Sequence, residues 1–587
     1  MAKQLSLLKG FLGRYRAPIL FIVVGFAIYA NAFQNQTFWD DNDSILNNLY
    51  VHDWGYFLKY FTENLIAGAG FFSNFWRPIL LSVFSLEWHL WGGWSAGYHF
   101  VSTSFHVANA VLLFLILSSL FRKRRVAVFT ALIFLVHPLQ TEAVTYIAGM
   151  GDPLSAFFMF LGIFFFVKFR TSKITAQKSV PYFLSLLMYA LALMSKETAI
   201  VMPALIFIAD FFLTSRNRKQ ITFRENIKAV GKTLWPFLVI GGLYILLRAT
   251  VLNFGNTFNL YGEQNVFTSN FHIRIFTFFE VLTNYFALLF WPLGLHMERS
   301  VEVATSFFSP SVIIGGLIFL GLSALAVSQF KRFPILSFGI LWFFIGLAPT
   351  SNILVPINGL IYEHWLYLPM IGIFVILVWL GELLALRYGL KNIFLLAMII
   401  FAAFLSVLTI NRNKDWRDPV TFYNQTLQYS PESYRVINNL GMAYDDRQDY
   451  ALAEITYKRA IAVSSSSPVA YHNLGNTYQK IGKTNLAIES FNTAIKLDPK
   501  FYFSYNGLVN IYLQDKNYKE ARRVLENYIG YSGSKLETLF LLAQIAVSQK
   551  DYDSALAYLE RASEFDPTNQ FVASSILDIK KVINSRK

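Results

Sequence analysis

The residues Phe38-Trp39-Asp40-Asp41-Asn42-Asp43 set three carboxylates beside two aromatic rings, just after the first long apolar run. Aromatic rings are ordinary at a membrane boundary. Clustered carboxylates there are not, because they lose hydration against lipid. One reading is a solvated loop start. The other is a carboxylate held at the membrane surface to do chemistry, since a positioned Asp can take a proton from a reacting hydroxyl. Other candidates recur at the ends of later apolar runs: His99, His137, Glu142, Asp152, Lys196, Glu197, Arg299, Glu363 and His364. Each alone fits a helix cap, an interfacial ion pair or a snorkelling side chain. Together they put charges of both signs at one set of span ends, which points to a shared polar cavity. No His/Glu spacing makes a metal site, so none is expected there. Asp40 and Asp41 could hold a divalent ion through oxygen ligands.

The elements that would position these groups lie mostly in lipid. Of 587 residues, 55% are hydrophobic and only 15% charged, far less charge than a soluble chain carries. The formal net charge of +14 sits in short basic clusters between apolar runs, where it sets topology rather than binding nucleic acid. The absence of cysteine excludes disulfides and thiolate metal sites. The first run, 17–34, reads as a retained signal anchor. Spans are expected to recur as far as residue 410, about eleven crossings in all. The basic clusters place the N-terminus in the cytoplasm and the segment 34–97 outside. The same rule makes 272–292 a re-entrant or interfacial piece. Trp54, Tyr56, Phe57, Tyr60 and Phe61 suggest an amphipathic helix lying on the bilayer.

From about residue 412 a 34-residue period begins. Leu440, Leu474, Leu508 and Leu542 share one phase, Ala453, Ala487, Ala521 and Ala555 another, and Tyr457, Phe491, Leu525 and Leu559 a third. Four copies in one register resemble the tetratricopeptide repeat. The expected organisation is 1–411 membrane domain, 412–432 capping helix or linker, and 433–587 repeats. The fold class is all-α, a polytopic membrane domain followed by an α-solenoid facing the exterior. Asn439 and Asn473 hold equivalent positions and could contact the backbone of a bound peptide.

A multispan half joined to such repeats resembles the TMTC-type transmembrane O-mannosyltransferases and their bacterial relatives, of the GT-C glycosyltransferase class. The resemblance is carried by Phe38-Trp39-Asp40-Asp41, Trp76-Arg77-Pro78, Tyr98-His99 with His106 and Asn109, and His137-Pro138 with Thr141-Glu142-Ala143. It continues through Gly151-Asp152-Pro153-Leu154, Ser195-Lys196-Glu197, Pro349-Thr350-Ser351-Asn352, and Glu363 with Leu366-Tyr367-Leu368-Pro369. His364 departs from it, standing where an arginine is expected. The resemblance implies a GT-C-like fold and an inverting glycosyltransferase. Its donor would be a polyprenyl-phosphate-linked sugar, mannose for preference, and its acceptor a protein hydroxyl on the exterior face. Asp40 matches the base, with Asp41 second. Arg77, Lys196 and Arg299 are candidates to bind the donor phosphate. His99, His137, Glu142, Asp152, Glu197, Glu363 and His364 would line the sugar and acceptor cavity. The repeats would grip a protein or peptide acceptor. The alternatives are the same chemistry on a lipid or glycan, or a membrane-anchored scaffold without catalysis.

Overall fold

The computed structural model describes residues 2–172, 178–217, 223–254, 265–299, 301–357, 359–565, 567 and 569–585. Its described residues contain helices and no strand. This is what lipid demands of a single chain, since a helix satisfies every backbone polar group within itself. The chain divides into two compact units, Met1–Phe422 and Tyr423–Lys587.

The first unit begins with α1 (Ala2–Tyr29). After an irregular segment come α2 (Pro78–Trp91), α3 (Ser95–Phe121) and α4 (Arg124–Val136). Then follow α5 (Gly151–Thr171), α6 (Ser179–Ser195), α7 (Met202–Asn217) and α8 (Phe223–Ala249). The unit closes with α9 (Phe271–Phe290), α10 (Pro310–Ser328), α11 (Pro334–Leu347), α12 (Met370–Arg387) and α13 (Lys391–Asp415). Among the described residues nine helices are long and apolar enough to cross a bilayer; α4 makes a tenth if joined to Pro138–Val144 across a 54° bend. Pro138 causes that bend, because it has no N–H to continue the helix and bars His137 from helical geometry. Wide apolar faces stay exposed, as at Trp235, Leu238 and Leu246 on α8 and Ile393, Leu396 and Ile399 on α13. Patches that large on a bundle mark a lipid contact, and the chain is a multi-pass membrane protein.

Two features position the acidic segment. A satellite core of Ile45, Val51, Tyr60, Leu80, Leu81, Phe84 and Tyr98 closes over Ile147, Met150 and Leu154, pinning the 34–97 segment to the turn before α5. A lattice of amides then stitches the end of α1 to the end of α13. Asn35 Nδ2 donates to Asn413 O (3.0 Å), Asn413 Nδ2 to Ile28 O (3.0 Å), and Thr145 Oγ1 to Asn413 Oδ1 (2.7 Å). The apolar stretch Trp54–Phe61 is a 3-10 helix rather than an α-helix, with Trp54 and Phe57 exposed and Tyr60 buried.

The segment 272–292, expected as re-entrant or interfacial, is helical without a break as far as Phe290, the end of α9. Arg274 Nη1 on it donates to Leu354 O (3.4 Å), and Ala304 N donates to Thr277 Oγ1 (3.1 Å). Its N-terminal half therefore lies against the connections that follow α9 and α11. The last apolar helix, α13, runs to Asp415, four residues past the expected boundary at 411. A short helix, α14 (Pro419–Leu427), occupies the expected linker.

The second unit is four helical hairpins and a closing helix. The hairpins are α15 (Tyr434–Asp446) with α16 (Tyr450–Val463), α17 (Pro468–Lys480) with α18 (Thr484–Leu497), α19 (Tyr502–Gln514) with α20 (Tyr518–Ser532), and α21 (Leu536–Ser548) with α22 (Tyr552–Phe565). The closing helix is α23 (Gln570–Asn584). Ala453, Ala487, Ala521 and Ala555 are fully buried, as close helix approach requires.

Candidate functional site

Asp40 and Asp41 face different surroundings. Trp39 between them and Phe38 has φ +61°, a left-handed conformation that costs a bulky residue energy. This kink exposes Asp40 and buries Asp41 to 1%. Phe38 N donates to Asp41 Oδ2 (3.1 Å) and Ala148 N to Asp41 Oδ1 (2.7 Å). Burial pushes the Asp41 carboxyl up to about 8; the two N–H donors oppose the shift and Asp40 adds to it. Tyr146 sits beside both carboxylates, and burial with those charges raises its phenol well above the usual range. Its ring stacks on Trp416 (5.2 Å) and lies 6.4 Å from Trp39. Asp40 thus emerges from an aromatic wall, while Asp41 serves as its buried crossbar to Ala148.

Two ion networks lie further along the same set of helix ends. In the first, Arg77 grips Glu197 with two parallel bonds (Nη2 to Oε1 2.6 Å, Nε to Oε2 3.1 Å). Lys196 Nζ donates to both oxygens of Asp152 (2.8 Å each). A Cβ at Gly151 would lie 3.7 Å from Lys196 Cδ and 3.8 Å from Arg77 Nη1, so the two pairs share a wall. In the second network Arg299 Nη2 donates to Glu363 Oε1 (2.9 Å), and Arg412 Nη2 lies 3.5 Å from Glu363 Oε2. Burial pushes the Glu363 carboxyl up against the pull of these guanidinium groups. Burial and Arg299 together hold His296 down to about 4, neutral near pH 7. His364 Nδ1 lies 2.8 Å from Glu142 Oε1. A cavity joins the networks, lined by Asp152, Ser155, Thr198, Thr350, His364 and Trp365.

The structure brings Glu142, Asp152, Lys196, Glu197, Arg77, Arg299, Glu363 and His364 into these two networks. His99 and His137 stand apart from them. Both are buried: His99 Nε2 lies 3.3 Å from Asn35 O, and His137 Nδ1 accepts from Leu139 N (3.3 Å) at the break after α4. Among the described residues no group of three or more His, Asp or Glu is arranged to hold a metal ion. Sequence reasoning missed three residues. Arg412 ends α13 and supplies the guanidinium beside Glu363 that His364 does not. Arg248 ends α8, and Tyr146 is the phenol at Asp40. Both arginines close an apolar run, a position read as marking topology. In the repeats, Asn473 Nδ2 donates to Asn438 Oδ1 (3.1 Å), so the inter-repeat amide contact uses the residue before Asn439.

Fold and site together define a class: a multi-pass helical membrane protein with a carboxylate-and-cation cavity at its helix ends and a tetratricopeptide solenoid after it. A family model for dolichyl-phosphate-mannose-protein mannosyltransferases matches residues 80–245. Tetratricopeptide models match 434–466, 468–501 and 512–574. The chain is 23% identical over 578 residues to mouse protein O-mannosyl-transferase TMTC3, covering 93% of this chain and 61% of that one. Against human protein O-mannosyl-transferase TMTC4 it is 24% identical over 485 residues, covering 73% and 64%. The chain therefore spans about three fifths of the length of these relatives. Among solved structures, MamA aligns at 21% identity and a TM-score of 0.22, over 25% of this chain and 79% of that one. The chain is similar to the TMTC-type proteins, whose matched members are named protein O-mannosyl-transferases.

Proposed function

We propose that this protein is an inverting glycosyltransferase. It moves a sugar, mannose for preference, from a polyprenyl-phosphate carrier to a protein hydroxyl on the exterior membrane face. The observation that carries the reading is the division of labour at Asp40-Asp41: one carboxylate exposed, its neighbour buried and tied to the turn that leads to Asp152. Paired acids with environments this different separate into an ionised base and a neutral support. The acceptor oxygen attacks the anomeric carbon opposite the phosphate. The bond from that carbon to the phosphate oxygen breaks, the prenyl phosphate leaves with its electron pair, and Asp40 takes the hydroxyl proton. A phosphate leaves without an acid's help, so one carboxylate suffices. Cations must steady the developing charge; Arg77, Lys196 and Arg299 are the candidates for that role, the first two in one ion network and Arg299 in the other.

The deciding experiment uses the full chain with a defined polyprenyl-phosphate mannose and mass analysis of the acceptor. Asp40→Asn should cut transfer by about 10²–10⁴-fold while the protein still folds in the membrane. Undiminished transfer would remove Asp40 as base. Deleting 430–587 should abolish transfer to a peptide acceptor; retained transfer would point to a lipid or glycan acceptor instead.

A further inference from the structure

We propose that Arg248 completes the donor-phosphate seat with Arg77 and Lys196, and that the Arg299–Arg412 corner serves to hold the connecting segments together. Arg248 is 6% exposed, its Nη1 donating to Leu252 O (2.6 Å) and its Nη2 to Asn74 O. Asn74 stands three residues before Arg77, and Trp76 between them packs against Tyr244 of α8 (6.0 Å). The end of α8 is thereby fastened beside the Arg77–Glu197 pair, where Arg248 acts electrostatically on both.

The two corners differ in balance. The first holds three cations, Arg77, Lys196 and Arg248, against two carboxylates, Glu197 and Asp152. The second holds two arginines with His364 against three carboxylates, Glu363, Asp415 and Glu142. A surplus cation sheltered from water is costly until an anion joins it. The first corner has that surplus and the second does not. The fork Arg77 makes on Glu197 is the bidentate geometry a phosphate takes, and the Glu197 side chain is 41% exposed. Glu197 therefore holds the place that a phosphate oxygen pair takes on binding.

The inference rests on the reading of a lipid-phosphate donor, and the test separates the two. Farnesyl monophosphate is titrated against the detergent-solubilised full chain. Arg248→Gln should weaken its binding on the order of tenfold to a hundredfold, and Arg248→Lys should recover most of that. Glu197→Gln removes a competing carboxylate and should tighten binding severalfold, a readout that stands even if Arg248→Gln does not fold. Unchanged binding in Arg248→Gln, or no tightening in Glu197→Gln, overturns the seat. If loss falls on Arg299→Gln or Arg412→Gln instead, the phosphate belongs to the other corner. If the unaltered chain does not bind farnesyl monophosphate at all, the donor reading itself fails.

Discussion

At Asp41, two backbone N–H groups meet a carboxyl that burial has raised from an ordinary 3.8 to about 8. A carboxyl raised on folding holds its proton more tightly in the folded chain. Its contribution is therefore fully present below pH 4 and is lost as pH climbs through about 8. The apparent melting temperature in detergent should decline across that window on this group's account, and Asp41→Asn should flatten the decline. A slope of the same size in Asp41→Asn would assign it to other groups. The sequence showed that an acidic pair stood at a lipid boundary. It could not show which acid was buried, because that is decided by the left-handed turn at Trp39 and by Ala148, more than a hundred residues away.

For the helices, periodicity was the readable signal, and it read well wherever packing repeats. The 34-residue phase of Leu, Ala and aromatic positions gave four hairpins, each with its alanine fully buried. The position equivalent to Asn439 and Asn473 in the third repeat is Gly507, which interrupts any ladder of asparagines for a packing reason that the period hides. A Cβ at Gly507 would lie 2.6 Å from Phe491 Cζ, and one at Gly475 would lie 2.7 Å from Phe491 Cε1. One ring fills the space between two glycines of successive repeats. Restoring the ladder with Gly507→Asn should cost about 1–3 kcal/mol, read as faster amide exchange through α17 to α20 in the full chain. Unaltered exchange would mean that the ring can give way. Outside the repeats the signal was weaker. The apolar composition of α9 is that of a spanning helix, and only its contacts with Leu354 and Ala304 reveal which segments it accompanies.

Over the whole molecule, the topology expected from the basic clusters and apolar runs is one that the cysteine-free sequence makes simple to test. Single cysteines at Glu302 and Ser466 should react with a membrane-impermeant maleimide in intact cells. One at Lys331 should react only after permeabilisation. Labelling of Lys331→Cys without permeabilisation would make α9 a full crossing if Glu302→Cys is then protected. The general plan, spans first and solenoid after, was legible because composition changes sharply near residue 412. The pairing of charges was not: Arg77 with Glu197 and Arg412 with Glu363 join residues 120 and 49 positions apart, distances over which one sequence carries no record.

The hydrogen bond from Ala148 to Asp41 and the bridge from Asp152 to Lys196 begin on one stretch of chain barely longer than a helical turn. On the proposed reading of the site, that short lever ties the support of the base at Asp40 to a counter-charge of the donor. A small molecule wedged beneath it would disarm both halves of the machine with one contact.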